Sequence, residues 1–185
     1  MIKDILKDAD SRMRSAIGVL EEDLKKVRTG RASTGLVEKI TIEYYGTPTP
    51  LFQLANLNVP EAQTIAIIPF DKSTLGLIEK AILASDIGLT PNNDGSVIRL
   101  NIPPLTAQRR NDLVKQVHKR LEESKVAIRN VRRSAIQDLN EFEKEKLISE
   151  DEARDGQDDV QKLTDKYVAE IDEVGKRKEQ EITEF

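Results

Sequence analysis

Residues 109–133 hold nine Arg and Lys side chains against three Asp and Glu, in a chain whose net charge is −4. On either side the balance reverses: residues 1–108 carry 12 basic and 13 acidic groups, and residues 134–185 carry 8 and 17. Concentrated positive charge in an acidic protein is the footprint of a polyanion site, and the commonest polyanion in a cytoplasm is RNA. The competing reading is that the block neutralises the acidic C-terminal segment packed against it. On a helical wheel with Ile128 at the origin, Arg132, Lys125, His118, Arg129, Lys115 and Arg133 fall between about 40° and 140°. They form one stripe beside an apolar seam, broken by Glu122. No Phe, Tyr or Trp interleaves it, which favours phosphate and shaped-RNA contact over stacking of single-stranded bases. Arg109 and Arg110 open the same segment, and Arg28 and Arg31 flank the end of an earlier one. Arg132 lies closest to the seam, so an intramolecular pairing with the acidic segment is its alternative role.

Catalytic chemistry is poorly provided for. The chain has no Cys and one His, His118, which excludes a thiol nucleophile, a disulfide and a His cluster for a metal. No Gly-rich loop followed by Lys-Ser/Thr offers a nucleotide site. Asp158 and Asp159 are adjacent, so on a helix they point about 100° apart and read as a solvated face. Ser33 has no His near it in sequence. The expectation is a protein that is not an enzyme, with no metal and no cofactor. Tyr44 and Tyr45 alternate faces, which makes one core and the other exposed.

Long helices must position the charge. Ile2, Leu6, Ala9, Met13, Ile17, Leu20, Leu24 and Val27 recur at steps of three and four and predict a first helix, stopped at Gly30. After Pro103 and Pro104, with Thr106 as N-cap, a second helix carries Val114, Val117, Leu121, Ile128, Val131, Ala135 and Phe142. At ~40 residues it would be about 60 Å long. Ser149 to Glu152 spell a capping box that starts a third, with Ala153, Val160, Leu163, Tyr167, Ile171, Val174, Ile182 and Phe185 as its stripe. Gly156 and Gly175 weaken it by about 1 kcal/mol each relative to Ala. The short connection makes the second and third helices antiparallel neighbours, and three narrow stripes close a three-helix bundle.

Residues 31–104 hold all seven Pro residues and read as a small β/α/β unit. Strands are expected at 39–45, 64–70 and 96–102, a helix at 73–85, and a turn at Asn92-Asn93-Asp94-Gly95. The fold class is α+β: a bundle of residues 1–30 and 105–185 with 31–104 inserted. Gly30, Arg31, Pro103, Pro104 and Leu105 form two adjacent linkers, hence a hinge. Charge and apolar residues alternate at the N-terminus without a signal-peptide core, and no apolar run approaches the roughly 20 residues of a membrane span. The chain reads as reduced, soluble, cytoplasmic and monomeric.

Four runs carry a family resemblance: Val27-Arg28-Thr29-Gly30-Arg31-Ala32-Ser33, Glu43-Tyr44-Tyr45-Gly46-Thr47-Pro48-Thr49-Pro50-Leu51, Arg129-Asn130-Val131-Arg132-Arg133 and Gln157-Asp158-Asp159-Val160-Gln161-Lys162-Leu163-Thr164. Together, in order and end to end, they resemble the bacterial ribosome recycling factor family. The resemblance implies an L-shaped molecule that binds the post-termination ribosome and works with elongation factor G and GTP. Together they would split the ribosome into subunits and release mRNA and tRNA. It also implies contact with large-subunit ribosomal RNA through Arg28, Arg31, Arg110, Arg129 and Arg132, to which the helical wheel adds Arg133. Gly30 and Pro104 match the family's hinge. A structural helical adaptor that binds a protein partner through its rod is the alternative. Salt dependence separates the two, because phosphate contacts weaken steeply as salt rises.

Overall fold

A computed structural model of the protein describes residues 1–184. Phe185, expected to close the third apolar stripe, lies outside the described residues. The elements run α1 (Ile2–Lys25), β1 (Thr41–Tyr44), β2 (Thr47–Pro50), β3 (Ala55–Glu61), β4 (Thr64–Pro69), α2 (Leu75–Ala84), β5 (Pro91–Asn93), β6 (Ile98–Asn101), α3 (Ala107–Lys144) and α4 (Glu150–Thr183). They divide into two compact units, Met1–Arg28 with Ala107–Glu184, and Thr29–Thr106. The fold is α+β, with long helices in one unit and a small β-rich domain in the other.

In the helical unit each of α1, α3 and α4 packs against the other two. Ala9, Met13, Ile17, Leu20 and Leu24 of α1 are buried, as the period predicts. The helix ends earlier than Gly30. Its last turn tightens at Lys26 and Val27, whose amides donate to Asp23 and Leu24 three residues back. On α3 the buried set is Leu113, Val117, Leu121, Ser124, Ile128, Val131, Ala135 and Leu139. Val114 and Phe142, expected in the seam, are only partly buried. The seam is shifted because α3 faces two helices, and the buried residues centre between them.

Ser149 starts α4 with the expected capping box: its hydroxyl accepts from the Glu152 amide at 3.2 Å, and the Glu152 carboxylate accepts from the Ser149 amide at 2.8 Å. Gly156 and Gly175 are not merely weak points. Both are buried, and a Cβ on Gly156 would stand 3.1 Å from Leu139 Cδ2. A Cβ on Gly175 would overlap the Leu121 side chain. Leucines of α3 fill the space these glycines leave, so the two helices approach closely along their length. Between α1 and α4 the Tyr167 hydroxyl donates to Asp10 Oδ1 at 2.7 Å, and Arg14 bonds the other oxygen of Asp10 at 3.0 Å. Burial pushes the Tyr167 phenol above its ordinary value.

The inserted unit has more strands than its sequence suggests. β1 and β2 form an antiparallel hairpin, and β3-β4-β6-β5 form a four-stranded antiparallel sheet. Tyr45 and Gly46 turn the hairpin with φ of 48° and 76°. Pro48 and Pro50 are two residues apart in β2, so both missing amides belong to the same edge of the ribbon. Ile65 and Ile67 of β4 stand beside Leu100 and Ile98 of β6 on one face. That face joins Ile78 and Ile82 of α2 and Ile42 of β1 in one core. Tyr44 packs partly against this core, while Tyr45 is 87% exposed, which assigns the two tyrosines. Entry and exit of the unit are tied to one turn: the Ala32 amide donates to Ala62 at 2.7 Å and the Ile102 amide to Gln63 at 2.8 Å.

Two outcomes follow from this packing. Gly175→Ala gains about 1 kcal/mol of helix propensity but overpacks Leu121, which typically costs about 1–3 kcal/mol. A net loss of about 1 kcal/mol is expected in urea unfolding. Leu121→Ala should cost less when combined with Gly175→Ala than alone. The Asp94 carboxylate, which accepts from the Val97 and Ser96 amides and pairs with Arg99, is held at about 2, below its ordinary 3.8. Above 3.8 it is ionised in both folded and unfolded chains and its contribution is complete; as pH falls toward 2 the unfolded chain protonates first and the contribution is lost. Asp94→Asn should therefore be less stable than the parent chain at pH 7, with the difference shrinking as pH falls from about 4 and vanishing only below about 2.

Candidate nucleic-acid interface

The basic block lies wholly on α3, and the structure sorts its charges by what each one faces. Lys125 turns toward α4. Its ammonium meets Asp172 Oδ1 at 2.7 Å and Glu122 Oε1 at 3.7 Å, and its side chain is only 19% exposed. The bond to Asp172 raises the Lys125 pKa above the ordinary lysine range. His118 pairs across the same interface with Glu179 of α4. At Lys125 the neutralising reading is the correct one, and both side chains cross-link α3 to α4.

Arg132 also reaches α4, but it finds a neutral partner. Its Nη1 donates to Gln161 Oε1 at 3.2 Å, and Gln161 in turn donates to Asp165 at 2.8 Å. The guanidinium is thus oriented without being neutralised, since one fork of donors is used and no carboxylate touches it. Arg129 and Arg133 are exposed and make no hydrogen bond or ion pair among the described residues. They lie about 100° and 140° round α3 from the buried Ile128, turned away from the seam. Lys115 shares the 140° position some 27 Å back along the helix at 1.5 Å per residue.

The remaining sequence-predicted arginines lie elsewhere. Arg28 ends the first segment of the helical unit and, with Arg109, lines a groove of about 470 Å³ between α1 and α3. Arg110 is partly buried at the start of α3, and Arg31 is exposed in the inserted unit. Arg31, Arg109 and Arg110 each have an interaction within the protein. Within the helical unit the five expected arginines do not form one patch. Arg129, Arg132 and Arg133 are neighbours, and Arg110 stands about 33 Å from Arg132 along the helix. Sequence reasoning misses Lys26, Lys119 and Arg120, which line the α1–α3 groove. On the same wheel Arg120 falls at about 280°, opposite the stripe, while Lys119 falls at about 180°, just beyond Lys115 and Arg133.

Gly30 has φ +75°, and a Cβ there would press on Leu105 Cγ at 3.1 Å, so the segments entering and leaving the inserted unit touch. Among the described residues no group of three His, Cys, Asp or Glu side chains could hold a metal. Among the same residues, no helix is long and apolar enough to cross a membrane.

Long helices interrupted in sequence by a small β-rich unit agree with what comparison with known proteins finds. A model of the ribosome recycling factor family matches residues 20–183. The chain belongs to the ribosome recycling factor family. It is 56% identical over 184 residues to the ribosome-recycling factor of Shouchella clausii (strain KSM-K16), covering 100% of both chains. It is 56% identical to that of Carboxydothermus hydrogenoformans over 182 residues, 98% of both chains. A solution structure of the ribosome recycling factor superposes with a TM-score of 0.72 at 42% identity, covering 100% of this chain and 98% of the other. A second structural relative describes models of the T. thermophilus ribosome recycling factor and the E. coli elongation factor G bound to the E. coli post-termination complex. It matches with a TM-score of 0.62 and 42% identity over 98% of both chains.

The sorting of charges is open to measurement. Lys125→Ala should lower bundle stability by about 0.2–1 kcal/mol through loss of its interhelical pair. Arg129→Ala should leave stability within about 0.5 kcal/mol of the parent. Urea unfolding of the two variants side by side checks this, and equal losses would mean that Arg129 is structural.

Proposed function

We propose that the face carrying Arg129, Arg132 and Arg133 docks this ribosome recycling factor on large-subunit ribosomal RNA, with Arg28, Arg31 and Arg110 as further RNA contacts. The observation that carries this is the contrast along one helix. Lys125 is neutralised by Asp172 of α4 and His118 is bonded to Glu179, whereas Arg129 and Arg133, a turn away, have no acidic partner among the described residues. Unneutralised arginines on a rigid helix suit phosphate, because each contact releases a counterion and each guanidinium presents a fork of donors. Gln161 holds the Arg132 fork in place, which lowers the entropy lost on binding. The adaptor reading required helix three to neutralise the whole block, and α4 neutralises only its inner edge.

The protein is a translation factor of ribosome recycling and not an enzyme. We take its setting to be the cytoplasm, its oligomeric state to be monomeric, and elongation factor G with GTP to be its source of work on the post-termination ribosome. The docked rod would stay on the RNA while the inserted unit turns about Gly30, Arg31, Pro103, Pro104 and Leu105. Support for that position comes from the hydrogen bonds that fix Ala32 and Ile102 to the β3–β4 turn, which leave only the short segments outside them to bend.

The test is subunit splitting of post-termination ribosomes by the purified chain with elongation factor G and GTP. Arg132→Ala should bind ribosomes roughly ten- to hundred-fold more weakly, as loss of a charged hydrogen bond implies, with its circular dichroism unchanged. Gly30→Ala strains a left-handed backbone and crowds Leu105, so it should bind within a few-fold of the parent but split slowly. A folded Gly30→Ala chain that splits at the parental rate would remove the hinge from the mechanism.

A further inference from the structure

Basic residues recur at every seventh position of α3, at His118, Lys125 and Arg132, and acidic residues at every seventh position of α4, at Glu179, Asp172 and Asp165. Seven residues are close to two helical turns, so each series stays on one edge of its helix. The first two rungs of this ladder close. His118 bonds Glu179, and Lys125 meets Asp172 at 2.7 Å. The pairing runs up one helix and down the other, so the same step brings Arg132 opposite Asp165. That rung is open: Arg132 makes no ion pair among the described residues. Loss of register is not the cause, because further along the same interface Gln157 still donates to Asn140 at 2.8 Å. Reach is not the cause either, since Lys125 spans the equivalent gap with a shorter side chain than arginine has.

Gln161 stands in the gap. It precedes Asp165 by one turn on the same face of α4. Its Nε2 donates to Asp165 Oδ1 at 2.8 Å, and its Oε1 accepts from Arg132 Nη1 at 3.2 Å. A guanidinium only donates and a carboxylate only accepts, so the amide satisfies both in this one orientation. Two hydrogen bonds thus replace the ion pair that the ladder would otherwise repeat. Asp165 is satisfied without reaching across to α3. Arg132 keeps its charge and most of its fork of donors, which a bidentate carboxylate would have occupied.

We infer that Gln161 is an insulating residue, which keeps Arg132 from pairing with Asp165 and so reserves it for RNA. The inference rests on the docking reading above and deepens it. Gln161 acts through Arg132 and is a positioning residue that need not touch RNA itself. It also gives a task to part of the run from Gln157 to Thr164, which the basic face does not explain. The consequence runs against simple charge counting: a neutral-for-neutral exchange on the acidic helix lowers affinity for a polyanion.

The experiment uses the full chain and purified large ribosomal subunits. Gln161→Ala, Asp165→Asn, the double variant Gln161→Ala/Asp165→Asn and Arg132→Gln are compared with the parent by affinity across a salt series and by urea unfolding. Gln161→Ala lets Arg132 and Asp165 meet. It should bind about ten-fold more weakly, as loss of a charged hydrogen bond implies, with a salt slope lower by about one. It should be at least as stable as the parent, since it gains an interhelical pair and a better helix former. Asp165→Asn, which removes a negative charge, should bind no more weakly than the parent. The double variant should regain parental affinity and slope, because no carboxylate is left to capture Arg132. A double variant as weak as Gln161→Ala would mean that Gln161 only orients the fork, and the insulating role is wrong. Lower urea stability of Gln161→Ala would make the residue a packing contact and overturn the inference. If Gln161→Ala binds like the parent while Arg132→Gln is weak, the inference fails and the docking reading stands. If Arg132→Gln also binds like the parent, the docking reading fails with it.

Discussion

Helix α3 has two neighbours, and everything else about the helical unit depends on that. A helix with one neighbour buries a narrow stripe. α3 must bury a band wide enough for α1 on one flank and α4 on the other, from Leu113 to Leu139. What is left of its circumference is small and is divided into an α4 edge, an α1 edge and an outer face. The charges of residues 109–133 have to fit that division. Those on the α4 edge form interhelical pairs, those on the α1 edge line a groove, and those on the outer face are left to solvent.

Close approach sets how sharp the division is. Gly156 and Gly175 let Leu139 and Leu121 seat against the α4 backbone. With the helices that near, Lys125 can reach Asp172 while keeping most of its stem out of water. One turn further, Arg129 is too far round the helix to do the same. A wider spacing would let long arginine side chains fold back onto α4 carboxylates and would blur the difference between structural and available charge. Gln161 belongs to the same arrangement, because an Asp or Glu at that position would neutralise Arg132.

The helices are legible because their signals are local and repeated. The stripe of α1, the Ser149 capping box and the antiparallel return of α4 all follow from spacing. The inserted unit is less so, for reasons particular to its residues. β2 is Thr-Pro-Thr-Pro, a composition that argues against a strand unless both prolines fall on a free edge. β3 alternates Asn with apolar residues and carries Pro60 where its register with β4 shifts. The hairpin turn uses Tyr45 where Asn is the common signal, and its left-handed φ cannot be read from the residue type. In the basic block, wheel angle alone separates the stripe from the seam but cannot tell which flank α4 occupies. Lys125 and His118 therefore group with Arg129 on the wheel although they do a different job. Propensity alone makes the two glycines of α4 weak points, when what decides their value is a leucine on another helix.

The tie between Ala32 and Ala62 and that between Ile102 and Gln63 have a bearing on how the chain folds. α1 is complete before the inserted unit begins, but its partners α3 and α4 come only after it. Were the roughly 80 intervening residues a loose coil, closing them would cost about 4 kcal/mol of chain entropy before any helix contact could form. Once the sheet has formed, consecutive residues of one turn hold both of its ends together, and that closure is already made. The insert thereby acts as a splint: its own folding shortens the effective loop to a few linker residues and brings the end of α1 to the start of α3. A chain that looks interrupted in sequence is, for the kinetics of bundle assembly, nearly continuous.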